Sequence, residues 1–520
     1  MNTINKFLIF SLILFVGLTA VSAADIIDDD SSAVAVETPQ VDQSYEESFV
    51  QEPVQETDNI EEETQTYTGR TYNNPITITP SNYGTQMSNI YSHDAVEFSG
   101  TFDSSLTNGV ITITSPIVFT TTSSATFEDT QFVINSDDVT INGLTIVNDD
   151  GTNGAAISAT GYNNIEVINN DITITKTTSG ETIGIKFNNT NNQTIQGNDI
   201  TMNIYPQYRW EVIESTPYDI WIFHLYNSAI VVDNSYDVDV KYNTILSTNA
   251  TTTEYFGTNE GINIRNSYNV DVNNNEVTIN GGDFSYALTF EEVTTSNALN
   301  NVLEVNSENY GTGIQMIEVT DSEVSNNNID VTSINTTENP SSGEAFGYGI
   351  YMSTNWGPSQ TTGNTVTYNT INIESTIGYG IEGYIIDDNN INYNTINMLG
   401  NVVMGIGLYN SSDNHVDYNT ITIFGTTSTL SSSIYEQIPP QTTGIKIVGN
   451  ETSTYNYFTY NTITVIDSGT SGNVYAIILE DYVNDVSNNH LTSINNLYNV
   501  LIGDNAVNDM SGDNLVEDNV

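Results

Sequence analysis

The sequence predicts an all-β solenoid, a right-handed parallel β-helix of about eleven or more coils. Three observations predict this fold: a short motif that recurs at a nearly constant period, strict apolar–polar alternation within each period, and few prolines, with no helical period after the first 25 residues. A unit that recurs every 20 to 50 or so residues is typical of repeat architectures, in which each unit buries its apolar face against its neighbours.

The recurring motif is Tyr-Asn-Thr-Ile, which occurs five times. Its copies begin at Tyr242, Tyr368, Tyr393, Tyr418 and Tyr460. The motif Asn residues are 25 residues apart from Asn369 to Asn394 and again from Asn394 to Asn419. Looser variants extend the series at spacings that include 26 and 28 residues, while three intervals of 42 to 45 residues contain irregular polar runs. We interpret these runs as loops inserted into single coils, because insertions in repeat arrays collect on one face.

Each period contains three short segments with the alternation of a half-buried strand. Examples are the Gly-Ile strand Gly313-Ile314-Gln315-Met316 and the segment Asn269-Val270-Asp271-Val272, and an Asn-x-Ile strand completes the unit. Three such strands in about 25 residues fit one coil of a parallel β-helix, whose equivalent residues stack about 4.8 Å apart. We therefore expect the repeated Asn to form an internal ladder, because Asn tolerates left-handed backbone angles and satisfies nearby backbone groups.

Composition divides the chain into three segments. Residues 1–24 have the parts of a signal peptide, with Lys6, an apolar core and the small-residue site Val21-Ser22-Ala23. An uncleaved membrane anchor is the alternative, although the apolar run is short for a spanning helix. Residues 25–70 are rich in Asp and Glu and predict a disordered acidic linker. Residues 71–520 are predicted to form the β-helix domain, including an N-terminal cap region.

The charge of the chain limits its partners. It has 8 basic and 65 acidic residues, a net charge of −57. Nucleic acid is excluded because binding it requires a basic face, and membrane contact is expected only through the signal segment if it stays uncleaved. We expect a secreted, extracellular or cell-surface protein without disulfides, since it has no cysteine. Six sequons are candidate N-glycosylation sites in a secreted chain: Asn188, Asn192, Asn249, Asn335, Asn410 and Asn450.

The Gly-Ile strand, the Asn-x-Val-x-x-Asn-x-Ile turn and strand, and the period near 25 residues recur across roughly residues 130–505. In these features the chain resembles the parallel β-helix repeats of the pectate-lyase-like superfamily. With its signal peptide, acidic segment and richness in Asn, Thr and Tyr, it is also similar to the adhesin-like surface proteins of methanogenic archaea. The resemblance implies a fold rather than a function, since this fold hosts lyases, hydrolases, epimerases and non-enzymatic surface proteins.

The resemblance also implies which catalytic groups to look for. Lyases of this fold use an Arg or Lys base beside carboxylate-bound calcium, and Lys186, Arg265 and Lys446 follow Gly-Ile strands. No Asp cluster accompanies them at a fixed register. We therefore interpret them as surface charges that pair with the surplus acid.

Hydrolases of this fold use paired Asp residues together with Gly-His-Gly and Arg-x-Lys motifs. The pairs Asp137-Asp138 and Asp387-Asp388 are present, but neither of the other motifs is. His is too scarce for a zinc site, and scattered Asp and Asn residues would bind calcium only weakly. We therefore expect no catalytic residue, no cofactor and no metal site.

Aromatic residues in and near the inserted runs are better candidates for a ligand contact. They are Tyr208, Trp210, Tyr218, Trp221 and Trp356. Aromatic rings beside amides and carboxylates suit an amphipathic target such as a sugar. The alternative is that these rings pack the inserted loops onto the rod.

The preferred hypothesis is a non-catalytic, adhesin-like β-helix protein of the cell surface or extracellular space, which binds polysaccharide, another glycan or cell-envelope material. Two alternatives remain open at this point. One is a polysaccharide lyase or glycoside hydrolase with its site on the β-helix face. The other is a purely structural surface spacer.

Overall fold

The computed structural model describes residues 72–150, 154–177, 181–204, 211–213, 220–222, 227–249, 258–282, 284–334, 345–354, 360–425, 441–449, 455–467, 473–480, 483–494, 500–502, 507–509 and 515–519. The segments predicted as signal peptide (1–24) and acidic linker (25–70) lie outside the described residues. Those two predictions therefore remain predictions.

The described chain winds into a right-handed parallel β-helix with three strands in each coil, which confirms the predicted fold. Among the described residues, 41 strands belong to one continuous wound sheet. Each strand pairs in parallel with its counterparts in the coils before and after it, as Val302–Ser307 does with Glu276–Asn280 and Asn328–Ser333. The winding gives the rod three faces, which we name the first, second and third sheets in the order in which a coil visits them.

The first sheet contains the Gly-Ile strands. Its strands are Val110–Ile113, Gln131–Ile134, Gly154–Thr160, Thr182–Asn188, Asn227–Asp233, Thr258–Arg265, Phe284–Glu291, Tyr310–Ile317, Phe346–Ser353, residues 377–384 of Thr370–Tyr384, residues 402–409 of Thr395–Tyr409, Gln441–Val448, Asn473–Glu480 and Val500–Ile502. A Cβ on Gly313 would lie 2.2 Å from Ile329 Cγ2 and 2.7 Å from the Gly349 carbonyl oxygen. Glycine at this position therefore lets the first and third sheets approach closely.

The second sheet is made of shorter strands. They are residues 117–119 of Ile117–Glu128, Val139–Asn142, Glu166–Ile168, Asn191–Gln196, Tyr236–Lys241, Tyr268–Asn273, Asn297–Leu299, Glu323–Ser325, Thr365–Thr367, Asn390–Asn392, His415–Asp417, Asn456–Thr459, Val483–Ser487 and Val507–Asp509. A small parallel pair, Thr361–Thr362 with Ile386–Asp387, lies just before this sheet in two coils.

The third sheet contains the Asn-x-Ile strands. They are residues 126–128 of Ile117–Glu128, Thr145–Asn148, Asp171–Lys176, Asp199–Ile204, Thr244–Asn249, Glu276–Asn280, Val302–Ser307, Asn328–Ser333, residues 370–375, residues 395–400, Thr420–Gly425, Thr462–Asp467, His490–Ile494 and Leu515–Asn519. Their inward Ile, Val and Leu residues stack from coil to coil and are almost completely buried. One continuous hydrophobic core therefore runs along the described rod.

The inserted runs follow the same corner of the coil. Residues 205–226, 250–257, 335–344 and 426–440 each fall between a third-sheet strand and the next first-sheet strand. Within the first run, the described strands Glu211–Ile213 and Ile220–Ile222 form an antiparallel pair. In chain order, these runs therefore all come after the third sheet of a coil.

The predicted asparagine ladder is present at the corner between the second and third sheets. Its members are Asn170, Asn198, Asn243, Asn275, Asn301, Asn327, Asn369, Asn394, Asn419, Asn461 and Asn489, each at most 1% exposed. Each Nδ2 donates to the Oδ1 of the next Asn at 2.9–3.1 Å. The backbone N–H of each Asn donates to the same Oδ1 at 2.9–3.0 Å.

A second ladder, which the sequence analysis did not predict, lies at the corner between the first and second sheets. In the earlier coils it is built of serines, with Ser296 N donating to Ser322 Oγ at 3.1 Å. Asparagines continue it, with Nδ2 to Oδ1 distances of 2.9–3.0 Å. These asparagines are Asn364, Asn389, Asn414 and Asn456. The ladder was missed because its residue type changes from Ser to Asn along the rod.

The N-terminal end of the core is closed by an aromatic cluster and short helices. Strands Pro75–Ile78 and Ala95–Phe102 pair in parallel, and Ala95–Phe102 also pairs with Ile117–Glu128. Between them lie the helices Tyr83–Gln86 and Ser104–Thr107 and the 3₁₀ helix Met87–Ser92. Five phenylalanines pack against one another with ring centroids 4.9–6.4 Å apart. They are Phe98, Phe102, Phe119, Phe127 and Phe132.

The three short helices correct the expectation that no helix follows the first 25 residues. None of them spans more than 6 residues, so a periodicity argument has too few residues to detect them. No helix among the described residues has the length and apolarity needed to cross a bilayer.

A substitution in the middle of the asparagine ladder tests its contribution to stability. Asn394 Nδ2 donates to Asn419 Oδ1 at 3.1 Å and to the Val366 carbonyl at 2.9 Å. In Asn394→Asp, a carboxylate oxygen would replace the amide nitrogen. It would face Asn419 Oδ1 and the Val366 carbonyl oxygen, which both accept hydrogen bonds, in a buried site. We expect urea unfolding at pH 7 to show a loss of about 3 kcal/mol or more.

Acidification provides the second readout for Asn394→Asp. Burial beside two acceptors favours the protonated carboxyl, so part of the lost stability should return as the pH is lowered towards 4. Asn390→Asp, at an exposed position of the second sheet, is the control and should change stability by less than about 0.5 kcal/mol. Equal stability of the two variants at pH 7 would contradict the ladder's role.

Candidate functional site

The first sheet is buried on both faces over the six coils from Thr258 to Tyr409. In strand Tyr310–Ile317 every residue after the first is buried, whereas a strand with one solvated face shows alternation. Ile314 and Met316 of this strand belong to the main core. The residues that alternate with them point away from the core, and we call the surface that they form the outer face.

Aromatic rings form two rows on the outer face. Phe284, Tyr310 and Phe346 stack in consecutive coils with centroids 5.0 and 4.8 Å apart. Tyr348 and Tyr379 stack at 5.1 Å. Together with neighbouring apolar side chains they make a cluster that is separate from the main core. Its members are Phe346, Ile377, Tyr379, Val402 and Met404, with Tyr310, Tyr348 and Tyr409 packed against it.

A buried carboxyl lies among these rings. Glu382 is 4% exposed and is the register partner of Tyr351 in the preceding coil. Burial raises the pKa of Glu382 to about 8, so the carboxyl carries its proton at neutral pH. Burial, and then the nearby Glu382, raise the pKa of Tyr351 and of Tyr348 well above the ordinary value. All three groups are therefore neutral hydrogen-bonding groups.

Several polar atoms of the outer face have no hydrogen-bond partner among the described residues. They are Glu382 Oε2, Thr289 Oγ1 and Asn263 Oδ1. Glu260 differs, because its Oε2 accepts from Ser228 Oγ at 2.7 Å and from Asn263 Nδ2 at 2.6 Å. A buried polar atom without a partner destabilises the fold by about 1 to 3 kcal/mol, so each one requires an explanation.

One edge of the outer face is charged. Arg265 lies between Asp233 and Glu291 in register, with a guanidinium-to-carboxylate distance of 3.9 Å to Asp233. Burial raises the pKa of Glu291 to about 7, and Arg265 opposes this shift. Glu291 therefore titrates near neutrality.

The structure brings the three predicted cations onto the outward side of the first sheet but does not cluster them. Lys186 and Lys446 occupy the same register position in distant coils, and Arg265 lies two residues further along its strand. Lys186 pairs with Glu181 at 3.3 Å. The prediction that these cations pair with surplus acid agrees with this pair and with the contact of Arg265 to Asp233.

The second Asp of each pair lies in a turn. Asp138 and Asp388 have left-handed backbone angles, with φ of 58° and 53°. Asp137 Oδ1 accepts from the Asn163 backbone N–H at 2.7 Å, which binds one coil to the next. Adjacent residues of this kind do not create the facing carboxylates that glycoside hydrolysis needs.

Among the described residues of the outer face, Glu382 also has no second carboxyl nearby. Its own coil and the two flanking coils hold no other outward Asp or Glu in the described part of this sheet. Glu291 is three coils away, roughly 14 Å along the rod. Two-carboxylate hydrolysis uses separations of about 5 to 10 Å. Within the described ranges, no group of three or more His, Cys, Asp or Glu side chains is placed to hold a metal ion.

The aromatic residues predicted to contact a ligand are mostly outside the described residues. This applies to Tyr208, Trp210, Tyr218 and Trp356. Trp221 lies in strand Ile220–Ile222, opposite Val212 of the neighbouring antiparallel strand. Their proposed role in ligand contact remains a prediction.

The predicted glycosylation sites lie in different surroundings. Asn192 is exposed, although its Nδ2 donates to Asn164 Oδ1 at 2.7 Å, and Asn188 and Asn410 are half-buried. Asn249 is 4% exposed, so its amide is not accessible to a glycan in the folded coil. Asn335 and Asn450 lie outside the described residues.

Sequence reasoning missed the outer face, although a signal was present. Aromatic or acidic residues flank the Gly-Ile pair in successive units, as in Tyr348-Gly349-Ile350-Tyr351 and Tyr379-Gly380-Ile381-Glu382. In a strand buried on one side, these flanking positions would be solvated. Rings at both positions therefore predict a second covered face.

No protein-family model matches the chain, and no curated protein sequence matches it. Solved structures with a similar winding include the A-module of mannuronan C-5 epimerase AlgE6 of Azotobacter vinelandii, with 11% identity, a TM-score of 0.38 and coverage of 76% of this chain and 89% of that one. The surface adhesin PfbA of Streptococcus pneumoniae has 14% identity, a TM-score of 0.39 and coverage of 74% and 84%.

A third similar structure is the tailspike protein of E. coli bacteriophage HK620 in complex with a hexasaccharide, with 12% identity, a TM-score of 0.41 and coverage of 85% of this chain and 73% of that one. The similar structures thus include both an adhesin and a carbohydrate-active enzyme. Likeness at this level concerns the fold alone. By its fold, the chain is a right-handed parallel β-helix protein.

The titration of Glu382 is expected to make stability depend on pH. The pKa of Glu382 is about 8 in the folded state and about 4.3 in the unfolded state. Between about pH 4 and pH 8 the folded state therefore keeps a proton on this carboxyl that the unfolded state has lost. The contribution of Glu382 to the free energy of unfolding should therefore be largest below about pH 4 and fall, by up to about 1.4 kcal/mol per pH unit, until about pH 8.

Glu382→Gln should remove this part of the pH dependence, as measured by urea unfolding at several pH values between 4 and 9. Glu374→Gln, at an exposed position in the same strand, is the control and should keep the wild-type slope. An unchanged slope in Glu382→Gln would show that this carboxyl is not protonated in the folded protein.

Proposed function

We propose that this protein is a non-catalytic, adhesin-like glycan-binding protein whose outer face forms a binding surface for polysaccharide or cell-envelope glycan. The observation that carries the proposal is the coincidence, on one face, of aromatic rings with buried polar atoms that have no partner among the described residues. Ligand sites combine an apolar lining with a few polar groups in this way.

Sugar chemistry matches both components of the face. The C–H surfaces of a sugar ring suit aromatic side chains such as Tyr348 and Tyr379, while its hydroxyls both donate and accept hydrogen bonds. Glu382 carries a proton and can donate it in a hydrogen bond, and Thr289 Oγ1 can donate or accept. A bound hydroxyl would therefore satisfy atoms that otherwise destabilise the fold.

Charge favours an uncharged glycan over an acidic one. The chain carries a net charge of −57, which repels polyanions at long range. The carboxyl in the middle of the ring cluster is neutral, so it does not itself repel a neutral sugar. Surface or extracellular location remains part of the proposal, and the predicted signal peptide and acidic linker support it.

A carbohydrate-active enzyme is a second candidate, favoured by one observation. A protonated carboxyl at neutral pH is what a general acid needs to protonate a glycosidic oxygen, and Glu382 has this property. The absence of a second outward carboxyl in the same or adjacent coils of this sheet, among the described residues, favours binding over hydrolysis.

Retention and cleavage should be measured together. The full chain would be incubated with a panel of soluble neutral glycans, cell-envelope glycans and polyuronates, with and without calcium. We expect retention of a neutral glycan and no new chain ends. New chain ends that disappear in Glu382→Gln would establish the enzyme instead, and the absence of both signals would leave a structural spacer.

Thr289→Val tests the outer face directly. It replaces a buried hydroxyl without a described partner by a methyl group of similar size, so the variant should be at least as stable as wild type. Loss of one hydrogen bond to the ligand should weaken glycan affinity by about fivefold in a titration. Thr278→Val, on the third sheet, is the control and should bind like wild type. Unchanged affinity of Thr289→Val would exclude this contact.

A further inference from the structure

The Tyr-Asn-Thr-Ile motif has an outward side that the ladder does not use. Its Asn points inward and its Ile enters the core, while its Tyr and Thr face solvent. In four consecutive coils the tyrosines form a continuous row. The tyrosine row is Tyr368, Tyr393, Tyr418 and Tyr460, whose side chains are 45–56% exposed.

The backbone of these tyrosines is in the left-handed region, with φ between 55° and 58°. A bulky residue there costs about 1 kcal/mol or more, whereas Gly and Asn adopt it readily. The equivalent turns of other coils use those two residue types. They are Asn169, Gly197, Asn274, Asn300, Asn326 and Asn488. The turn itself therefore does not require tyrosine.

The free energy gained by ring stacking offsets the cost of the left-handed backbone but does not exceed it. The centroids of consecutive rings are 5.0, 4.9 and 4.9 Å apart, with interplanar angles of 12°, 5° and 2°. Each aromatic pair contributes about 0.5 to 1.5 kcal/mol, so three pairs roughly balance four strained residues. Folding stability gives no net reason for the tyrosine row, which points to an interaction with a partner.

Stacking also determines what the row presents to that partner. Because each ring covers the face of its neighbour, the surface consists of ring edges and phenol hydroxyls rather than of open aromatic faces. A parallel row of exposed threonines lies two residues further along each coil, in register. The threonine row is Thr370, Thr395, Thr420 and Thr462.

The two rows form a strip of hydroxyl-bearing residues, whose rings repeat every 4.9–5.0 Å over roughly 15 Å of the rod. On the side of the tyrosine row away from the threonine row, Thr459 donates to Asp417 Oδ1 through its Oγ1 and its backbone N–H, at 2.6 and 3.0 Å. Tyrosine and threonine hydroxyls both donate and accept hydrogen bonds. A partner that matches the strip is linear, regular and rich in hydroxyls.

We infer that the tyrosine and threonine rows form a second glycan-contacting strip, on which an uncharged linear polysaccharide lies parallel to the rod axis. The net charge of −57 opposes a polyanion and also opposes a second copy of this chain. The inference rests on the proposed glycan-binding function. It concerns a separate surface, because the corner between the second and third sheets is opposite the first sheet.

The test uses the full chain and two insoluble neutral polysaccharides, cellulose and chitin, with insoluble polygalacturonate as the charged counterpart. The main variant carries Tyr→Phe at all four positions of the tyrosine row, which keeps the rings and their stack and removes the four hydroxyls. We expect wild type to sediment with at least one neutral polymer. The variant should bind at least about tenfold more weakly, since several hydrogen bonds are lost together.

The chain contains its own matched control. Tyr242 has the same motif, the same left-handed backbone (φ 57°) and the same exposure (45%) as the members of the row. The equivalent turns on either side of it hold Gly197 and Asn274, so it has no stacked tyrosine neighbour. Tyr242→Phe should bind like wild type.

A second variant distinguishes a loss of binding from a loss of folded protein. It carries Tyr→Asn at the four positions, which is the residue that other coils use at this turn. It should melt at or above the wild-type temperature and lose binding as the Tyr→Phe variant does. Wild-type binding by both variants would overturn the inference, and so would retention of wild type by polygalacturonate alone. A wild-type dimer that becomes monomeric in the variants would identify self-association instead.

Failure of this inference is distinguishable from failure of the proposed function. Thr289→Val removes a hydroxyl from the outer face, so its titration with soluble glycan tests the proposed function separately from the tyrosine and threonine rows. If Thr289→Val weakens binding of soluble glycan while both tyrosine variants sediment like wild type, only the second strip is refuted. If wild type binds no glycan in either assay, both proposals are refuted.

Discussion

The buried asparagine ladder is the constraint on which the rest of the structure depends. Each ladder amide both donates to the next coil and accepts from the previous one, while its second N–H bonds to a backbone carbonyl. A shift of one residue in any of these coils would remove an asparagine amide from the ladder and leave buried polar atoms unpaired. The ladder therefore sets the register of the coils from Asn170 to Asn489, whatever the length of the segment inserted between coils.

A fixed register turns single residues of the repeat into rows on the surface. The phenylalanines and tyrosines of the outer face stack because the Gly-Ile strands that carry them are aligned by the same register. The tyrosine row arises in the same way from a residue adjacent to the ladder itself. The surface of such a molecule therefore presents rows of side chains rather than one constellation of residues.

Much of the fold could be predicted from the sequence, because the repeated Asn marks both the length of the repeat and one corner of each coil. The Asn of every Tyr-Asn-Thr-Ile copy is a ladder position in the structure. The second ladder escaped prediction because Ser296 and Ser322 perform the task that Asn364 performs later, so the residue type conceals the equivalence. The short N-terminal helices contain too few turns to show a period.

The candidate site was less accessible, because burial of an outward residue depends on contacts that are distant in sequence. Glu382 appears in the sequence as one acid among 65 acidic residues, and only its covered position raises its pKa. The tyrosines were visible as part of a motif, but their left-handed backbone was not. A bulky residue is strained in that conformation, and only the structure shows that these tyrosines adopt it.

The coils with the strict 25-residue spacing have a consequence for how such a protein evolves. In this stretch, residues 364–419, both corners carry asparagine, so the end of one unit is compatible with the start of the next. In-frame duplication of 25 codons would insert a complete coil without a mismatched junction. Each duplication would also extend the tyrosine and threonine rows by one residue each, so the number of repeat units would set the length of both rows.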